Sequence, residues 1–181
     1  MNICVYCGSS NGNSAEILKQ AKEFGALIAG NGHALIYGGA SIGVMGTLAD
    51  SVMDHGGHVI GVIPRALFHK EVAHQGITEL IEVDDMHQRK SAMADLADAF
   101  VAFPGGFGTM EELFEIITWN QIGIFEKPVT IMNIDGFYDS LITMIDKAVN
   151  TGFIRPDNLN IINIAETLDE CLEFCEVNQA E

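Results

Sequence analysis

Short apolar runs alternate with stretches of helical periodicity along this sequence, and this predicts an α/β fold with a mostly parallel sheet flanked by helices. Two further observations support that class. The first apolar run, residues 2 to 7, shows no in–out alternation, as expected of a strand buried on both faces of a parallel sheet. Two glycine-rich turns, Gly38 to Gly46 and Pro104 to Gly108, each lie between a strand and a helix start. Loops in that position line the ligand crevice of doubly wound sheets, so the expected plan is Rossmann-like and doubly wound.

Composition bounds the rest. At 181 residues, with 48% hydrophobic and 19% charged positions, the chain supports one compact domain over residues 1–181. No repeat, low-complexity tract or linker divides it. The net charge of −16 repels phosphate backbones, so no nucleic-acid partner is expected. The apolar runs fall short of a membrane span, and no membrane association is expected. The N-terminus, Met1-Asn2-Ile3-Cys4-Val5-Tyr6, lacks a basic region and reads as a first strand, not a signal peptide. The expected compartment is the cytoplasm.

The elements follow in order. A strand at 2–7 ends at Gly8-Ser9-Ser10, where the serines fit ligand binding and turn capping equally well. A helix at about 14–30 carries the apolar stripe Ile17, Ala21, Phe24, Leu27 and Ile28. Strand 34–37 precedes the first glycine turn, which opens a helix at about 43–56. That turn has no Lys-Ser/Thr ending, so it is not a P-loop, and without a clean Gly-x-Gly-x-x-Gly it is only a weak dinucleotide fingerprint. Strand 58–63 stops at Pro64-Arg65. Residues 66–77 read as a loop or short helix over the crevice mouth. His69, Glu71 and His74 lie there, but the histidines are five apart and no aspartate joins them, so no metal is expected. A short strand, 78–83, leads to a helix capped by Asp84 or Asp85 and running to about Leu96. Strand 97–103, the second glycine turn, a helix to about Ile122, strand 129–133, a helix at 136–150, strand 161–164 and a closing helix at 165–175 complete the pattern.

The scarce bases are informative. Arg65, Arg89 and Lys90 sit near loops or glycine turns, where an anionic small molecule can be met, whereas Lys19, Lys22 and Lys147 read as solvated helix charges. Arg89 and Lys90 occupy the first turns of their helix, where positive charge opposes the helix dipole. A local rule broken in this way points to function or to a solvated face. The four cysteines read as structural thiols. Cys4 and Cys7 have redox or zinc spacing, but Cys4 lies inside a strand and no second pair completes a site. Cys171 and Cys175 share one helical face.

The stretch that organises the chain is Pro104-Gly105-Gly106-Phe107-Gly108-Thr109-Met110-Glu111-Glu112. Its glycines let the backbone turn sharply and come close to a ligand, and the helix start behind them suits a phosphate. Glu112, one turn further in, is placed to act on the sugar of a bound nucleotide. A second reading is structural, since Thr109 and Glu112 also fit a Thr-x-x-Glu capping box.

This motif resembles the LOG ("Lonely guy") family, together with Met86-His87-Gln88-Arg89-Lys90, Tyr37-Gly38-Gly39 to Met45-Gly46, Gly61-Val62-Ile63-Pro64 and Thr118-Trp119. The family comprises cytokinin riboside 5′-monophosphate phosphoribohydrolases, long mislabelled as lysine decarboxylases. The resemblance covers nearly the whole chain. Ala40, where the family often has a third glycine, and Phe107, often tyrosine there, depart from it without removing a reactive group. It implies hydrolysis of the N-glycosidic bond of a nucleoside 5′-monophosphate, with Arg89 and Glu112 as the catalytic pair. Substrate binding is implied for Gly38, Gly39, Glu71, Lys90, Gly105, Gly106, Phe107, Gly108, Thr109, Met110, Glu111 and Thr118. It also implies a homodimer or larger assembly with sites near subunit contacts, and neither metal nor cofactor. Two other readings compete. A noncatalytic nucleotide or cofactor carrier of the same fold would bind without releasing base, and a pyridoxal-dependent decarboxylase would need a Schiff-base lysine, for which only Lys90 is near a candidate pocket.

Overall fold

A computed structural model describes residues 1–67 and 72–177. Seven strands form one sheet: β1 (Asn2–Tyr6), β2 (Ala34–Tyr37), β3 (His58–Pro64), β4 (Glu79–Val83), β5 (Ala99–Ala102), β6 (Val129–Met132) and β7 (Ile162–Ala165). Their order is β4-β3-β2-β1-β5-β6-β7, and every pairing is parallel. The expected mostly parallel sheet is thus wholly parallel. Parallel neighbours need crossover connections, and α1 (Ala15–Gly30), α2 (Gly43–Asp54), α3 (Met86–Leu96), α4 (Phe107–Gln121) and α5 (Asp139–Asn150) each lie in one, while α6 (Leu168–Glu176) follows the last strand.

Each face of the sheet carries its own core. On one side α1, α2 and α6 bury Phe24, Ile28, Leu48, Val52, Cys171 and Cys175 against Val5, Leu35 and Val101. On the other, α3, α4 and α5 cover Cys4, Tyr6, Ile36 and Phe100 with Met93, Ala94, Leu113, Ile116 and Tyr138. With both faces covered, β1, β2, β5 and β6 are buried almost throughout, which accounts for their continuous apolar runs. Cys4 and Cys7 fall into opposite cores, so they do not form a pair, and all four cysteines are free and buried.

Chain direction across the sheet reverses between β1 and β5, the first strands of its two halves. The C-terminal ends of these two strands therefore flank the switch point where ligands bind in open α/β sheets. Local boundaries differ from expectation in two places. A short 3-10 turn, Ile134–Gly136, delays α5 to Asp139, and β7 continues to Ala165, so α6 begins only at Leu168 behind the Thr167 cap.

Candidate active site

The buried stripes of α3 and α4 carry charge at their N-terminal ends. On α3 the buried positions are Arg89, Lys90, Met93 and Ala94; on α4 they are Thr109, Glu112, Leu113 and Ile116. Ordinary helical periodicity thus turns two bases and one acid inward, and both helices start at the C-terminal edge of the sheet. Arg89 and Glu112 lie near the end of β1 there.

Arg89 is 3% exposed. Its Nε donates to the Val62 carbonyl at 3.1 Å and its Nη2 to the Gly38 carbonyl at 2.9 Å, so the guanidinium spans the ends of β2 and β3. A side chain at Gly38 would collide with that guanidinium, which gives this glycine a steric reason. Glu112 is 6% exposed. Its charge and that of Arg89 both act on the thiols of Cys4 and Cys7: burial pushes these thiols up, Glu112 pushes them further, and Arg89 opposes it. Two buried charges of opposite sign are therefore gathered around the end of β1. Both thiols stay protonated at neutral pH, so neither is a nucleophile there.

The capping-box reading is corrected by the geometry. Gly106 is the N-cap of α4 and makes no side-chain capping bond, while Thr109 already lies within the first turn. Thr109 is buried, and its hydroxyl packs under Gly105, where any side chain would collide with it. Met110 is the first amide of α4 to bond back to Gly106 O (3.2 Å), so the preceding N–H groups face out of the helix end. A Cβ added at Gly106 or Gly108 would meet nothing within 4 Å. Beside this helix start lies a cavity of about 220 Å³, lined by Gly8, Ser10, Val44, Gly105, Gly106 and Phe137. A larger hollow of about 400 Å³ lies at the opposite ends of β6 and β7, lined by Asn120, Phe125, Lys127 and Asn163 among others. Lys127 there is committed to Ala94 O at 2.9 Å and to the Phe125 ring, whereas the smaller cavity, whose lining is uncharged, adjoins the start of α4.

The remaining expected positions divide clearly. Lys90 is half withdrawn from the crevice: its Nζ bonds Glu111 at 2.6 Å and Glu115 at 3.0 Å. Burial alone would lower this ammonium's pKa, but the two carboxylates outweigh it and the net shift is upward. Gly39 adopts a left-handed φ of 79° and its carbonyl accepts the His74 N–H at 2.8 Å. Phe107 is 93% exposed at the helix start. Thr118 stands two turns beyond Glu111 with its hydroxyl donating to Phe114 O at 2.7 Å, away from the buried pair. Glu71 lies outside the described residues, as do His69 and Lys70. Arg65 is exposed beside Glu82 and Asp84, and Asp85, not Asp84, caps α3 through Gln88 N at 2.9 Å. Ser10 accepts Gly12 N–H at 3.3 Å, a turn role. Sequence reasoning missed Glu115 and Phe137. Glu115 was detectable as the i+4 partner of Glu111; nothing local to Phe137 marked it.

Comparison with known proteins gives the family. Residues 45–175 match the family model described as "Possible lysine decarboxylase". The cytokinin riboside 5′-monophosphate phosphoribohydrolase LOG of Oryza sativa subsp. japonica is 51% identical over 168 residues, 93% of this chain and 69% of that protein. The chain belongs to the LOG family. LOG1 of Arabidopsis thaliana, of the same name and activity, is 48% identical over 174 residues, 96% of this chain and 82% of that protein. Among solved structures, the molybdenum cofactor carrier protein MCP from Chlamydomonas reinhardtii superposes with a TM-score of 0.75. That match is 22% identical and covers 99% of this chain and 98% of that one, so it speaks for the fold alone.

Proposed function

We propose that this LOG-family chain hydrolyses the N-glycosidic bond of cytokinin riboside 5′-monophosphates or AMP, releasing free base and ribose 5-phosphate. One observation carries the reading: a buried carboxylate, Glu112, lies one turn inside an uncapped helix start and shares the end of β1 with the buried Arg89. The exposed N–H groups and positive dipole end of α4 suit the 5′-phosphate. With the phosphate there, the ribose lies over Glu112. Breaking the C1′–N bond leaves its electron pair on the base and builds positive charge on the sugar, which an adjacent carboxylate stabilises. Water then bonds to C1′, and its proton is passed on as the base takes up one of its own. Arg89 sets a buried positive charge at the same strand end.

Chromatographic measurement of base release from AMP and from isopentenyladenosine monophosphate tests this. Wild type is expected to release base, and Glu112→Gln to lose roughly 10³-fold while still binding nucleotide. Binding without release by wild type would instead establish the carrier reading.

The outward face of α4 supports assembly into a homodimer next to the site, since Phe107, Phe114 and the following Ile122 are exposed along one side of it. Light scattering should give twice the chain mass of 19.6 kDa, and a monomer would refute the dimer. The four free thiols fit a reducing compartment such as the cytosol, and fractionation of cells would test that placement.

A further inference from the structure

The structure assigns Glu115 as a positioning residue for this cleavage. With Glu111 it grips Lys90, and that clamp sets α3 against α4 so that Arg89 and Glu112 keep their mutual placement. The inference rests on the hydrolase reading above.

The two helices need such a device, because their backbones scarcely approach one another. Long side chains must span the gap. On α3, Arg89 and Lys90 are adjacent and so point about 100° apart. Arg89 turns to the carbonyls of Val62 and Gly38, and Lys90 turns to α4. On α4 the same division recurs: Glu112 is buried, while Glu111 and Glu115, one turn apart, reach Lys90. Charged groups therefore form two layers, an inner one of Arg89 and Glu112 and an outer one of Lys90, Glu111 and Glu115. Because neighbours on one helix cannot move independently, displacing Lys90 displaces Arg89.

The outer layer is more than a solvated surface pair. The Lys90 side chain is 11% exposed and that of Glu115 25%, so both are shielded from the screening that makes exposed ion pairs weak. Glu111 and Glu115 alone would repel at i,i+4 spacing, and only the ammonium between them makes the arrangement favourable. Removing one carboxylate leaves the buried ammonium half-compensated. Of the two, Glu115 is the more withdrawn, since the Glu111 side chain is 56% exposed. Its charge also acts on the buried Tyr6 hydroxyl, as does that of Glu112, which locates it beside the same pocket.

Steady-state kinetics on AMP, corrected for folded fraction by circular dichroism, test the assignment. Glu115→Gln is expected to lower kcat about tenfold with less than a twofold change in KM, because the phosphate cradle at α4 is untouched. In a Lys90→Met background the same substitution is expected to add nothing, since Glu115 acts through Lys90. Unchanged kcat in Glu115→Gln, or an equal loss in both backgrounds, overturns the proposal while leaving the hydrolase reading intact. A wild type that releases no base sinks the hydrolase reading, and this inference with it.

Discussion

The two glycine turns look alike in sequence and do opposite things. In Gly38 to Gly46 the glycines make room for the protein itself: Gly38 for the Arg89 guanidinium, and Gly46 for the backbone of Ser41. In Pro104 to Gly108, Gly106 and Gly108 face open space, and only Gly105 is pressed, by Thr109. The first turn is a support and the second is a surface. Glycine allows close approach in both cases, but what approaches differs, and only the second turn leaves that place free for a ligand.

Adding a methyl group at each kind of position should separate the two roles. Gly38→Ala is expected to have the largest effect. The added carbon meets the far end of a flexible side chain, so the guanidinium can swing away at modest cost to stability. Catalysis loses its buried cation, and base release should fall about 10²- to 10³-fold with Tm nearly unchanged. A Gly38→Ala enzyme of normal activity would mean that Arg89 is dispensable. Gly46→Ala comes next and has the reverse signature. Its methyl group would strike the Ser41 backbone, which cannot move without shifting the turn. Overpacking of this kind costs roughly 1–3 kcal/mol, or several degrees in Tm for a domain of this size. The fraction that stays folded should turn over normally. A Gly46→Ala protein with normal Tm and impaired KM would erase the distinction between the turns.

This contrast also marks how far the sequence could be read. The parallel α/β plan was legible because burial on both faces leaves unbroken apolar runs, as in β1 and β5. Arg89, with Lys90, was legible as positive charge against the dipole of its helix, and Glu112 as an acid one turn inside the glycine motif, while their pairing came from the family resemblance. The reason for that pairing was not legible, because it needs α3 and α4 to meet at one sheet edge. Thr-x-x-Glu misled as a cap because the pattern cannot show where a helix starts, and α4 starts before Thr109. The grip of Glu115 on Lys90 joins residues 25 positions apart, and no local pattern announces a contact of that range. Nor could spacing show that Gly38 is held by Arg89, 51 positions away. Periodicity reports which face a residue takes, whereas the partner on that face is a property of the assembled sheet.

The smallest expected effect belongs to Gly108→Ala, and it tests the comparison most finely. Gly108 lies in the first turn of α4, where alanine is the better helix former by about 0.5–1 kcal/mol and the added methyl group meets no protein atom. Stability should therefore rise slightly, by a degree or two in Tm. If the cradle receives a phosphate, the methyl group intrudes on that approach and KM for AMP should rise about tenfold, equivalent to about 1.4 kcal/mol of binding. Gain in stability with loss of affinity is a combination that a purely structural glycine does not produce. A Gly108→Ala protein with raised Tm and unchanged KM would show that the ligand stays clear of this helix start, and the phosphate would then have to be sought among the loops around Gly8 and Phe137.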